Sequence, residues 1–247
     1  MSLVYSDTST YRGIIQQLER ELGMQVGDIS GSTAKLKHFT ADINLALDDF
    51  TKIAIQASGT WQWDDNNHED YPVIKTNLVT SQRDYTFTTD DNSTIILDVY
   101  KVAILPSATA TLFQELDPFD ELADLDNDII TENTTTSVPT RYGKLANGIF
   151  LDFPTSYNAT NGLKLYINRE ASYFVTSDTT KKAGIPGIFH KYLVLRPAED
   201  FARRNSLTNY TAIRAERIQM EQDINEYFGR REKDVRHIIK PKRINYV

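Results

Sequence analysis

The chain contains no cysteine, which excludes disulfide bonds, thiolate nucleophiles and thiolate metal ligands together. Its 247 residues must therefore be stabilised by packing or by assembly with other chains. Histidine is also scarce: His38, His68, His190 and His237 show none of the short spacings typical of a metal site. We expect each of them to be a surface or capping residue.

Long apolar runs are missing as well. No segment is apolar over the length needed to cross a bilayer, and residues 1–7 lack the basic and apolar regions of a signal peptide. The sequence therefore predicts a protein that is made in the cytoplasm and has no membrane partner.

The usual catalytic motifs do not occur in the sequence. There is no Gly-x-Ser-x-Gly, no His-Glu-x-x-His and no glycine-rich phosphate loop. Asp124, Asp126 and Asp128 imitate the start of a calcium loop, but Ile129 and Thr135 occupy the positions that need Gly and Glu. We expect no enzymatic activity, no metal and no cofactor.

Charge is distributed unevenly along the chain, whose formal net charge is -7. Residues 1–180 carry 12 basic and 26 acidic side chains, a net charge of -14, whereas residues 181–247 carry 15 and 8, a net charge of +7. Such a distribution favours head-to-tail association of copies, or docking of the basic end on an acidic partner.

Helical periodicity opens the chain. The apolar residues of 14–22 share one face of a short helix that Gly23 ends. A longer helix follows, with apolar positions three or four residues apart from 36 to 57. Ser32 is its predicted N-cap and Gly59 its terminator.

Helical spacing returns near the C-terminus, from Phe189 onwards. Pro197 lacks a backbone donor and clashes with the preceding turn, which predicts a kink or a restart there. A last helix is expected from about Asn209 to Phe228.

Between these helices the period changes from 3.6 to 2, which predicts strands. Ile95, Leu97 and Val99 alternate in one phase and Val102 and Ile104 in the other, so that a bulge is expected between them. The apolar residues of 149–153 and 163–167 are expected to form core faces. Their polar neighbours are expected to face solvent, namely Asp152, Lys164 and Asn168.

Two Asn-Gly pairs predict tight turns in this region, because Asn and Gly tolerate positive φ. Asn147-Gly148 should form a hairpin in which Leu145 pairs with the strand that Gly148 starts. Asn161-Gly162 should mark another reversal of the chain.

The segment WQWDDNNHEDYP at residues 61–72 admits two interpretations. Trp61 follows the long helix directly, where large aromatic residues commonly anchor a helix to a sheet. We therefore expect Trp61, Trp63 and Pro186 to be structural anchors. The alternative is a glycan-binding or glycan-cleaving domain, in which the tryptophans would stack on sugars beside Asp64 and Asp65.

The C-terminal tail, residues 230–247, is basic and interleaved with apolar residues. Nucleic-acid binding, ordering on a protein partner and a merely solvated end are the three interpretations. Apolar residues among the charges favour a protein groove, because they offset the entropy of ordering. The residues expected to bind the partner are Arg230, Arg231, Lys233, Arg236, Ile238, Ile239, Lys240, Lys242, Arg243 and Tyr246.

The order of these features resembles that of tailed-bacteriophage head-to-tail connector proteins, also called adaptor or neck proteins. The stretches that carry the resemblance are ASGTWQWDDNNHEDYPVIKTNLVTSQRDYTF, STIILDVYKVAIL, PTRYGKLANGIFLDFPTSYNATNGLKLYINREASYF and GIPGIFHKYLVLRPAEDFA. It covers roughly residues 36–205 and implies a ring of twelve subunits under the portal. C-terminal segments would then insert into clefts of the portal, and the protein would have no enzymatic activity.

The expected fold is therefore α+β, with a helical scaffold, a β-sandwich-like antiparallel insert and an extended C-terminal tail. Residues 1–59 and 185–229 would form the scaffold, 60–184 the insert and 230–247 the docking tail. Expected partners are further copies of the chain, the portal, the next tail or neck protein, and genomic DNA that passes without specific binding. The expected location is the neck of the virion, and a stopper or tail-tube protein is the nearest alternative.

Overall fold

The computed structural model of the chain describes residues 3–58, 73–87, 95–119, 135–145 and 148–231. Over these ranges it is an α+β fold, as predicted, with helices towards both ends and strands between them. The α-helices are α1 (Ile14–Glu21), α2 (Thr33–Ser58), α3 (Tyr192–Arg204) and α4 (Tyr210–Arg231), and a short 3₁₀ helix spans Gly187–Phe189. The strands are β1 (Val73–Leu78), β2 (Asp84–Thr86), β3 (Ile96–Ile104), β4 (Gln114–Glu115), β5 (Asp117–Pro118), β6 (Arg141–Leu145), β7 (Gly148–Leu151) and β8 (Ala159–Arg169).

The two N-terminal helices form where the periodicity predicts them. Gly23 follows α1 with a φ of 68°, the left-handed conformation that favours glycine after a helix. The Ser32 carbonyl accepts the first bond of α2, from the Leu36 N–H at 2.8 Å. Ser32 thus lies at the N-terminus of α2 as predicted, whereas Gly59 is outside the described residues.

Of the kink or restart predicted at Pro197, the restart does not occur, because α3 continues through this residue. Pro197 removes one helical hydrogen bond. On either side of it, Leu195 and Ala198 are fully buried in the helical core, and this packing offsets the lost bond.

The helical core takes in more than the helices. The segment that follows β8 returns to it, with Ala171, Phe174 and Ala183 all buried. Asn44 on α2 fixes this segment by accepting a bond from the Phe174 N–H at 2.9 Å and donating one to its carbonyl at 3.0 Å. Tyr5 stacks on the Phe174 ring with centroids 4.9 Å apart.

His190 is buried in this core and is therefore not a surface residue, whereas the expected capping role is confirmed at the C-terminus of the 3₁₀ helix. The Leu3 N–H donates to its Nδ1 at 2.8 Å, and its Nε2 lies 3.0 Å from the Ile185 carbonyl. His190 therefore ties the N-terminal segment to the start of α3. Just before it, Pro186 leads into the 3₁₀ helix, and its carbonyl accepts a bond from the Phe189 N–H at 2.9 Å.

The strands form two four-stranded sheets within the described residues, in the orders β1-β8-β3-β4 and β2-β7-β6-β5. Leu163, Leu165 and Ile167 of β8 are fully buried between them, as predicted from their alternation. The register of β3 against β8 shifts between Ile96 and Asp98 and again between Val99 and Lys101. The predicted bulge is therefore confirmed.

The chain passes from one sheet to the other at both edges. β4 leads into β5 through the buried Leu116, whose N–H donates to the Val102 carbonyl at 3.0 Å. At the opposite edge, β1 leads into β2, and the Val79 N–H donates to the Tyr85 hydroxyl at 3.2 Å. The insert is thus a sandwich with linked edges. It is antiparallel apart from the β5–β6 pair, which is parallel.

The two Asn-Gly pairs have different outcomes. Leu145 pairs with Gly148 in an antiparallel ladder, as predicted for the first pair. The second pair does not reverse the chain but lies inside β8. Asn161 has a φ of 52°, and the register against β1 shifts there, so the dipeptide forms a bulge within the strand.

Two polar residues that were expected to face solvent are buried. Asp152 accepts bonds from the Thr140 N–H at 3.0 Å and from the Thr140 hydroxyl at 2.7 Å, which compensates the burial of its charge. Asn168 is likewise buried. Alternation alone therefore does not assign the face of every polar residue in these strands.

Candidate interaction surfaces

The first two residues of the predicted docking tail are helical. Arg230 and Arg231 belong to α4, which runs through Gly229. Glycine costs about 1 kcal/mol in a helix, but the fully buried Phe228 beside it holds the last turn. Arg230 forms an ion pair with Glu226, one turn earlier in the helix. It is therefore a helix-surface residue rather than part of an extended tail.

The remaining predicted partner-binding residues lie outside the described residues: Lys233, Arg236, Ile238, Ile239, Lys240, Lys242, Arg243 and Tyr246. The same is true of Trp61 and Trp63, so that their predicted anchoring role stays a prediction. What the structure does provide is the platform from which the tail departs.

That platform is the C-terminal end of α4 packed against α2. The Phe228 ring meets the Phe50 ring edge-on, with centroids 5.9 Å apart, and lies 6.2 Å from the Phe189 ring. A Cβ atom at Gly229 would lie 3.8 Å from the Ala57 carbonyl oxygen. The start of the tail is thus fixed beside the end of α2.

A charged groove of about 910 Å³ runs between α2, α3 and α4. Arg196 bridges Asp49 at 2.9 Å and Asp200 at 2.5 Å. Arg217 bridges Glu199 and Glu221 in the same manner. Since each guanidinium is held between two carboxylates, these groups stabilise the packing of the three helices.

Tyr192 also belongs to this network of arginines and carboxylates. Its hydroxyl donates to Glu221 at 3.0 Å, and its ring is fully buried. Burial, followed by the charge of Glu221, raises the pKa of Tyr192 above the ordinary value of a tyrosine. The groove is therefore built from groups that satisfy one another, which suits a structural role better than ligand binding.

A second groove, of about 520 Å³, lies where α2 meets β3 and β8, and we call it the junction groove. Its apolar floor includes Ile55, Leu97 and Tyr173. The Tyr173 hydroxyl donates to Asp48 at 2.7 Å and lies 3.4 Å from Glu170. Burial, followed by the hydrogen bond and charge of Asp48, raises the pKa of Tyr173.

The rim of the junction groove is acidic. Asp48, Asp98 and Glu170 line it, with Lys52 as the cation among the lining residues. Asp98 forms a salt bridge with Lys144 at 2.9 Å. Within the described ranges, no lysine or arginine forms a salt bridge with Asp48 or Glu170. The groove therefore carries unneutralised negative charge beside apolar surface.

Single large apolar residues are exposed at separate places on the surface. Leu112, in the segment between β3 and β4, is 80% exposed, and Ile188 in the 3₁₀ helix is 64% exposed. Phe113 lies beside the former and packs under the Lys164 ammonium, 5.3 Å from the ring centroid. Such residues are ordinary on monomers when isolated, and in an assembly they are contact points for neighbouring chains.

The described residues lack the features of a membrane-spanning protein and of a metal site. No helix in the described ranges combines the length and apolar character needed to cross a membrane. Nor do those ranges contain a group of three or more His, Asp or Glu side chains placed to hold a metal ion. Comparison of the chain with protein-family models and with curated protein sequences finds no match.

Proposed function

We propose that this chain is a non-enzymatic structural subunit of a tailed-phage virion. Copies of it form a closed ring, expected to contain twelve subunits, at the neck of the virion. The ring connects the portal of the head to the next neck or tail protein. Genomic DNA passes through it without specific binding, because an acidic lumen would repel the phosphates.

The observation that carries the proposal is the way in which α4 presents the C-terminus. Ile213, Ile224 and Phe228 are buried, and these residues fix the helix in the helical core up to its last turn. The basic residues of 232–247 continue from this fixed end. In a ring every subunit would offer one such tail, and the avidity could exceed the single-subunit affinity by roughly 100-fold or more.

The division into two cores supports the same function. The helices and the sandwich each bury their own apolar cluster. Helices can then form the wall of a ring while the sandwich offers faces and edges to neighbouring chains. Subunits in a ring meet through two different surfaces, and the ring closes by rotation from one subunit to the next. The exposed Leu112 and Ile188 lie on different parts of the fold and could belong to two such surfaces.

The test compares the full chain with a chain that ends at Arg231, so that α4 stays complete. Both are mixed with purified portal rings of the same phage and observed by electron microscopy. We expect the full chain to form a ring stacked on the portal. The shortened chain should stay folded, with little change in melting temperature, and should fail to attach.

A full-length control carries Lys240→Glu, Lys242→Glu and Arg243→Glu, and it should also fail to attach. Equal attachment of the shortened chain would refute the docking role of the tail. A large drop in its melting temperature would show that the tail belongs to the core. Tubes formed without portal would favour a tail-tube protein, and tryptophan fluorescence that responds to sugars would favour a glycan-binding domain.

A further inference from the structure

The junction groove leaves apolar surface uncovered. Leu97 on its floor is 49% exposed, and Ile95 nearby is 52% exposed. These two residues belong to the alternating apolar run at the start of β3. Apolar side chains that a fold leaves open beside a concave, charged rim are typical of a peptide-binding surface.

The C-terminal tail starts at the same end of α2 as this groove. Gly229 lies against Ala57, two residues beyond Ile55 of the groove lining. Because residues two apart face different sides of a helix, the tail has to pass around α2 to enter the groove. The structure describes the chain up to Arg231, which leaves residues 232–247 to follow. Fully extended, this segment spans roughly 50 Å, so it can reach every part of the groove.

The composition of the tail matches that of the groove. Residues 232–247 contain five Lys or Arg and two acidic residues, and their apolar members include the adjacent pair Ile238 and Ile239. Basic charge would meet the acidic rim formed by Asp48 and Glu170, while the isoleucines would cover the floor. A docked tail would thus neutralise the negative charge of the groove and cover its apolar surface.

A second segment starts equally close, because residues 59–72 follow directly on α2. This segment contains Asp64, Asp65, Glu69 and Asp70 and neither lysine nor arginine. Its four carboxylates would be repelled by the rim of the junction groove. Charge therefore favours the tail as the occupant.

We propose that the tail of the same chain, residues 232–247, docks in the junction groove of the unassembled subunit. The effective concentration of a segment tethered this closely is on the order of millimolar, so that weak contacts suffice. If the proposed portal function also holds, the docked tail must be released before it can bind the portal. The docking itself does not depend on that function, and its test needs no portal.

The absence of cysteine makes the test direct. Gln56→Cys, on the groove lining, is combined with His237→Cys in the tail of the full chain, and a short bifunctional maleimide is added. The control pair combines Ile188→Cys with His237→Cys. Ile188 is 64% exposed, in the 3₁₀ helix.

The control position is fair because a free tail could reach it. The Phe189 ring lies 6.2 Å from the Phe228 ring, which places Ile188 beside the last turn of α4. Residue 237 follows Arg231 by six residues and can therefore extend roughly 20 Å from the end of the helix. A tail that samples its surroundings freely would therefore crosslink to both positions.

We expect the groove pair to give a crosslink within one chain in several-fold higher yield than the control pair. Leu97→Lys, which adds a cation at a half-exposed site and should leave the fold intact, should reduce that yield to the control level. Equal yields for both pairs would overturn the proposal. A crosslinked product that joins two chains would also overturn it. The proposal would equally fail if residues 59–72 shielded the thiol introduced through Gln56→Cys from the maleimide.

Discussion

Replacement of Phe228 by alanine tests whether the last turn of α4 is a fixed platform. The side chain is fully buried and its ring contacts those of Phe50 and Phe189. Truncation of a buried phenylalanine to alanine costs about 3–5 kcal/mol of unfolding free energy, because apolar contacts are lost and a cavity remains. For a chain of this size, that corresponds to a fall in melting temperature of roughly 6–20 °C.

The measurement is thermal unfolding followed by far-ultraviolet circular dichroism, which reports the helices. Tyr227→Ala is the matched control, since Tyr227 is the neighbouring aromatic residue and is 38% exposed. It should cost clearly less than Phe228→Ala. A loss below about 1 kcal/mol for Phe228→Ala would refute the reasoning, because the last turn would then fray independently of the core. The tail would in that case leave from a flexible end.

Two further predictions concern buried polar groups. Glu19 is fully buried and accepts hydrogen bonds from the N–H groups of Gly27, Ile29 and Ser30. Glu19→Ala should therefore lower the free energy of unfolding, measured in urea, by about 2–4 kcal/mol, and Glu19→Gln should lower it clearly less. Equal losses for the two variants would contradict this. The pKa of Tyr192 is raised in the folded state. Its contribution to the free energy of unfolding is therefore complete below about pH 10, where the phenol of the unfolded chain is neutral. This contribution is lost as the pH rises further. Unfolding free energies between about pH 9 and pH 11 should therefore fall more steeply for the natural chain than for Tyr192→Phe, and parallel curves would count against the prediction.

The helical part of the fold was predictable because its signals are local. The spacing of apolar residues, Ser32 before α2 and Gly23 after α1 determine where those helices lie, and the structure agrees with each. Pro197 shows the limit of this reasoning. A proline is unfavourable within a helix by its own chemistry, but the burial of its neighbours decides whether the helix continues.

The two Asn-Gly pairs show why the β region was less predictable. Both dipeptides permit positive φ, which is what the sequence indicates. Around the first pair, β6 and β7 are antiparallel, with Leu145 opposite Gly148. Asn161 instead uses a positive φ for a bulge, and its N–H donates to the Asn77 side chain on β1 at 2.8 Å. Gly162 has the Ala159 Cβ only 2.7 Å from the position of a Cβ of its own. Which outcome occurs depends on a strand more than 80 residues away in sequence.

The candidate surfaces were predictable only in part. The docking role of the C-terminal tail stays a prediction, and the sequence did not indicate that Arg230 and Arg231 belong to α4. The junction groove could not be found from the sequence, because it joins residues of α2, β3 and β8 that are distant along the chain. The alternation of Ile95 and Leu97 predicted a strand but not the exposure of these residues, and both are about half exposed.

The fold also changes the meaning of the uneven charge distribution. Each of the seven Lys and Arg residues between 191 and 230 lies within 4.0 Å of a carboxylate. Two of the partners belong to the acidic part of the chain, in Arg196–Asp49 and Arg204–Asp42, and these partly exposed pairs link the two charge regions at the surface of the helices. The basic residues of 232–247 are not needed for these pairs. Their positive charge is therefore available for the proposed partner, and Asp48 and Glu170 in the junction groove are available for the proposed docking of the tail.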